Sequence, residues 1–170
     1  MSAKATAPDV QPKLNLSSEP DIVSLSPATL AYVEKLGPFQ KTAPLAWKQF
    51  WSIAAGRIAA GDIAAAVALS RIDDTRAGDA AYIYQAGVLL TRKAAVAPDG
   101  LQLRELQPGK YARFLLTGPY AQLSAAYPAA FSILQTANFR LREDFCIEKY
   151  LNSPDTPEHE LQTDILIPIT

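Results

Sequence analysis

Ile22, Val23 and Leu25 predict a short strand broken at Pro27, and apolar and polar positions alternate from residue 29 to residue 35, which predicts a second. The Ser26-Pro27 step reads as a turn that pairs them as a hairpin. Beyond Pro38 the period changes. Trp47, Phe50, Trp51 and Ala54 recur at spacings of three and four, which places them on one face of a helix over residues 43–60, with Pro38 and Pro44 bracketing its start and Gly61 as its stop. Residues 64–72 have the small and branched character of a buried strand, and Asp73-Asp74-Thr75 then turns the chain. The next strand, over residues 80–91, puts Tyr82, Tyr84, Ala86 and Val88 on one face. Residues 101–106 and 110–117 predict a second hairpin about Pro108-Gly109. A helix over residues 120–136 carries Pro128 in its interior, which should kink or split it. Strands over 143–151 and 161–169 close the chain.

One phrase occurs twice in this pattern. Tyr32 to Phe39 ends in Gly37-Pro38-Phe39, and Tyr111 to Tyr120 ends in Gly118-Pro119-Tyr120, with the two glycines 81 residues apart. Phe50 and Phe131 each lie thirteen positions after their glycine. The expected fold is therefore α+β: tandem duplicated β-α-β-β units forming one antiparallel sheet, two main helices on one face, and a ligand cleft at the pseudo-twofold axis. Residues 1–20, poor in large apolar side chains, read as a mobile tail. Residues 21–170 read as one domain.

Composition removes several function classes. A formal charge of −1 argues against direct nucleic-acid binding, which favours a basic face. The only cysteine, Cys146, and the only histidine, His159, leave no disulfide framework and no metal-ligand set, so neither metal nor cofactor is expected. No apolar run is long enough for a membrane helix, and a cytoplasmic location is the default expectation. No Ser-His-Asp arrangement or glycine-rich phosphate loop is present.

The candidate chemistry centres on Glu148. Alternation along residues 144–150 puts Phe145 and Ile147 on one face of a strand and Cys146, Glu148 and Tyr150 on the other. If helices cover the Phe145 face, Glu148 points into the groove, where desolvation would raise its pKa. Alternatively Glu148 is exposed and pairs with Lys149 or Arg142. The aromatic set of Trp47, Trp51, Tyr82, Tyr84, Tyr111, Phe114, Tyr120 and Tyr150 would either wall a groove for planar or cationic ligands or fill the core.

Pro108-Gly109-Lys110-Tyr111-Ala112-Arg113-Phe114, then Thr117-Gly118-Pro119-Tyr120, resembles the GyrI-like small-molecule-binding domain, as does the C-terminal passage Glu148-Lys149-Tyr150 with Ile165-Leu166-Ile167-Pro168. The resemblance implies an effector-binding cleft of the kind found in bacterial transcription regulators, here in a free-standing form. It implies that Glu148 is the cleft glutamate and Tyr150 its partner. Gln85 stands where an acidic residue is usual, so one cleft charge would be absent. The expected function is binding of a small hydrophobic or cationic, drug-like molecule by Glu148, Tyr150, Tyr82, Tyr84, Trp51, Trp47, Tyr111, Phe114 and Cys146. One alternative is a hydrolase of strained, cyclopropanoid-type electrophiles, with Glu148 and Tyr84 as catalytic groups. Another is a protein-interaction module such as a gyrase-inhibitor-like regulator, its protein partner unknown.

Overall fold

The computed structural model describes residues 13–170. The alternating segments form β1 (Asp21–Leu25), β2 (Ala28–Leu36), β3 (Ile63–Ile72), β4 (Tyr82–Leu90), β5 (Gln102–Leu106), β6 (Gly109–Thr117), β7 (Cys146–Tyr150) and β8 (Gln162–Ile169). All pair antiparallel in one sheet, in the order β1-β6-β8-β7-β3-β4-β2-β5. Two helices, α1 (Phe39–Ala54) and α2 (Leu123–Thr136), make the fold α+β as expected. The element sequence β2-α1-β3-β4 recurs as β6-α2-β7-β8, with β4 between β2 and β3 and β8 between β6 and β7. The two Gly-Pro turns match in geometry. Gly37 and Gly118 have φ of 135° and 141°, a region that favours glycine, and each donates its amide to a carbonyl at the start of the strand neighbouring in the sheet, Tyr82 for β4 and Leu161 for β8.

Neither expected hairpin forms. β1 pairs with β6, and β2 pairs with β5, so the strands before each Gly-Pro unit are exchanged between the halves. The ladder from Asp21↔Arg113 to Leu25↔Gly109 continues without change of register as Ala28↔Leu106 to Tyr32↔Gln102. Ser26-Pro27 and Gln107-Pro108 are thus bends in two long partners, at places where proline forfeits no ladder bond. This exchange dictates the shape of the sheet. In a flat sheet β1 and β2 would stand about 29 Å apart, six strand spacings. The chain from Leu25 to Ala28 spans at most about 11 Å. The sheet has to curl until its two edges meet.

Curling gives the sheet an inner and an outer face. On the inner face Leu30, Tyr32, Val67, Leu69, Tyr111, Ile147 and Leu166 bury one another without any helix, helped by Val23 and Leu25 from one edge and Leu106 from the other. Both helices lie on the outer face. α1 covers Ala31, Val33, Tyr84, Ala86 and Val88 through Ala46, Phe50 and Ala54. α2 covers Ala112, Phe114, Leu116, Ile165, Ile167 and Ile169 through Ala126, Ala130 and Leu134. The alanines on both helices allow a close approach to the sheet.

The helices differ from expectation at their ends. α1 starts directly after Pro38, whose carbonyl accepts the Lys41 and Thr42 amides, and stops at Ala54 before Gly56 at φ 80°. Pro44 is its sixth residue, and Pro128 is likewise the sixth residue of α2. Both prolines are exposed, so the carbonyl each deprives of a donor faces water and the helix continues. α2 is therefore not split at Pro128, and residues 120–122 form a separate 3-10 turn before it.

Of the expected tail, residues 1–12 lie outside the described residues. Leu16 bridges Leu116, the Ser17 amide donates to the Leu115 carbonyl, and Leu14 packs with Leu16 on the α2 cluster, so sheet contacts begin before Asp21. Among the described residues, no helix is long and apolar enough to cross a membrane.

Candidate functional site

β7 and β3 meet at the middle of the sheet, between the strands that α1 covers and those that α2 covers. Register sets Tyr150, Glu148 and Cys146 beside Ala66, Ala68 and Ser70. Three small residues on β3 leave the space above this seam to be filled from the β7 side and from the helices.

Glu148 is on the helix-covered face, opposite to the inner-face Ile147 and Phe145. The premise that helices cover the Phe145 face is thereby corrected. On the other, helix-covered side the carboxylate lies at the seam between the part of the sheet under α1 and the part under α2, where rings rather than an open groove lie over it. Both faces of the strand carry apolar neighbours because the sheet curls, and alternation alone does not say which face the helices take.

Glu148 as a whole is 8% exposed. Tyr150 donates its hydroxyl to Oε1 at 2.7 Å, and Tyr127 from α2 donates to Oε2 at 2.8 Å. Among the described residues, no cation joins them. Lys149 lies on the opposite face and Arg142 binds Asp144 at 2.6 Å, so the exposed ion-paired alternative does not apply. Burial raises the Glu148 carboxyl above the ordinary glutamate range, while the two phenol donations pull it partly back. Burial and then the Glu148 charge push Tyr127 and Tyr150 well up. Cys146, beside them, is pushed up to about 12 by burial and by the Glu148 and Asp144 charges, and stays a thiol.

A row of rings runs over the carboxylate from α1 to the turn before α2. Trp51 and Trp47 of α1 stack at 6.2 Å, Trp47 meets Tyr150 edge-on at 5.6 Å, and Tyr150 meets Tyr120, just before α2, at 5.2 Å. Trp51 and Tyr120 are exposed at the ends of this row, at 45% and 42%. Trp47 also donates its indole N–H to the Tyr84 hydroxyl at 3.0 Å, and Tyr84 is raised by burial and by Glu148. The result is an acid ringed by aromatic groups and closed from above in this state.

The structure thus brings together Glu148, Tyr150, Tyr84, Trp47, Trp51 and Cys146. It does not bring the other expected residues to them. Tyr82 sits at the end of β4 against Phe39 at 5.7 Å, one ring beyond Tyr84. Phe114 is fully buried beneath α2. Tyr111 belongs to the inner face, where Arg142 lies over its ring at 5.1 Å. Gln85 is also an inner-face residue, linking Arg104 to Glu34, so its neutral amide removes no charge from the groove. Tyr127 was missed by sequence reasoning. The available signal was a phenol flanked by the buried Ala126 and Ala130, since a buried hydroxyl needs an acceptor.

The sequence matches the GyrI-like small molecule binding domain over residues 18–170. Among curated proteins, none matches. Several solved structures share the fold. The structure of SAV2435 bound to tetraphenylphosphonium superposes with a TM-score of 0.64 at 17% identity, covering 89% of this chain and 94% of that one. The EcmrR C-terminal domain gives 0.66 at 11% identity, with 93% and 98% coverage. A hydrolase from Listeria innocua gives 0.56 at 11% identity, with 90% and 92% coverage. At such identities the likeness establishes the fold.

Proposed function

The chain belongs to the GyrI-like small molecule binding domain family, and from that premise we propose that it captures a hydrophobic organic cation between α1 and α2, with Glu148 as the counter-charge. One observation carries this reading: a buried carboxylate held by two phenols, with no cation among the described residues paired to it. Burying an ionised acid without an opposite charge is costly, and a ligand cation would supply what the protein lacks. The surrounding rings offer both apolar contact and cation–π attraction, on the order of 1 kcal/mol per ring. Trp51 and Tyr120, exposed at the ends of the ring row, would meet the ligand first. Tyr150 and Trp47 would part to admit it. A neighbouring fold is known with tetraphenylphosphonium bound, which makes that cation the natural probe.

The test compares tetraphenylphosphonium with neutral triphenylphosphine oxide, following quenching of Trp47 and Trp51 fluorescence. The cation should bind at least about tenfold more tightly, a gap of about 1.4 kcal/mol. Equal affinity for the two would remove charge recognition from the account.

The raised carboxyl also favours a second reading, in which Glu148 transfers a proton while water opens a strained electrophilic ring and Tyr84 orients the reacting groups. Turnover of such a compound that disappears in Glu148→Gln, with the compound still bound, would separate this chemistry from capture alone.

A further inference from the structure

Away from Glu148, a concavity of about 210 Å³ lies where the C-terminal end of α1 meets the segment after β4. Its lining divides by chemistry. Ile58, Leu90, Val96 and Pro98 are apolar, whereas Arg57, Arg92 and Lys93 carry positive charge against the single carboxylate of Asp62. That carboxylate neutralises little. Its contact with Arg92 is 3.4 Å long between side chains that are 49% and 85% exposed. Arg57 uses Nη1 to bond the Ile53 carbonyl, leaving the rest of its guanidinium fork available. Three cations around an apolar depression stand out in a chain whose formal charge is −1.

We propose that this concavity is a second ligand site, for a small amphiphilic anion: a carboxylate or phosphate head held by Arg57, Arg92 and Lys93, with a short apolar tail against Ile58 and Leu90. Arginine forks match such heads in a bidentate way, and lysine adds a point charge. The volume is below the ~300–1,000 Å³ of pockets for drug-sized ligands, which limits the tail to a few carbons. The site is independent of Glu148 and has the opposite charge preference.

The test is a 15N NMR titration of the full chain with hexanoate, with inorganic phosphate and hexanol as controls for head and tail. Hexanoate should give saturable shifts at Ile58, Leu90, Thr91 and Val96, and each control should bind at least about tenfold more weakly. The exposed double variant R92A/K93A should weaken hexanoate about tenfold or more, with tetraphenylphosphonium binding unchanged. Glu148→Gln should leave hexanoate unaffected, so failure here and failure of the cation site are read separately. No saturation by about 50 mM, an unchanged affinity in R92A/K93A, a loss of hexanoate binding in Glu148→Gln, or phosphate binding as well as hexanoate would each overturn the proposal.

Discussion

Replacing Glu148 by glutamine should move binding and stability in opposite directions. The amide is nearly isosteric, its oxygen accepts one of the two phenols, and its nitrogen donates to the other. For binding, a cation 4 Å from the carboxylate gains about 4 kcal/mol at an effective dielectric of 20, and about 3 kcal/mol if bulky substituents hold the charge farther off. Displacing a phenol from the carboxylate costs about 1 kcal/mol. The net loss on substitution is about 2 kcal/mol, or roughly 30-fold in affinity. For stability the sign follows from the raised carboxyl pKa. Below the unfolded value near 4.5 the group is protonated in both states and contributes no penalty. As pH rises from there, the unfolded chain releases the proton more readily than the folded one, and the folded state loses stability until its own carboxyl has ionised. Glutamine never enters that window. Glu148→Gln should therefore melt higher than the wild type at neutral pH and converge with it as pH falls toward 4.5. Calorimetric titration with tetraphenylphosphonium and thermal melts across pH measure both halves. Affinity within roughly threefold of wild type, or a lower Tm at neutral pH, would refute the reasoning.

Three further outcomes follow from other residues. Trp51→Ala, at a ring 45% exposed, should weaken cation binding about five- to tenfold with a stability change near 1 kcal/mol, read by titration and urea melts; an unchanged affinity would take Trp51 out of the site. Gly87→Ala places a methyl 2.1 Å from the Ala31 carbonyl oxygen in the middle of the sheet, which should cost about 3 kcal/mol or more and lower Tm by roughly 6–12 °C; an unaltered Tm would contradict the packing there. The Cys146 thiol, pushed up to about 12, should resist a disulfide reagent at pH 8 in the native state and react fully in denaturant; fast native labelling would mean that the groove is open.

Local pattern revealed most of the strands and both helices, because alternation and the 3-4 spacing act within a few residues. It did not reveal how they pair. Ser26-Pro27 and Gln107-Pro108 are as compatible with a tight turn as with a bend in a continuing strand, and only the long-range register between residues 21–32 and 102–113 decides. The same limit applies to the site. The set Cys146, Glu148, Tyr150 was legible from alternation, and the resemblance carried by the C-terminal passage pointed to the same glutamate. The side of the sheet bearing the helices was not legible, because curling buries Tyr111 and Ile147 nearly as fully as Phe114. Tyr111 and Phe114 read as groove aromatics for that reason, and Tyr127 was not singled out at all, although its hydroxyl donates to the carboxylate.

The most direct measurement is a crystal structure of the full chain with tetraphenylphosphonium. The account predicts phosphorus within about 6 Å of the Glu148 carboxylate, between α1 and α2, with Tyr150 or Trp47 swung away from its present ring contacts. A cation bound on the inner face of the sheet, with Tyr127 and Tyr150 still capping Glu148, would contradict it.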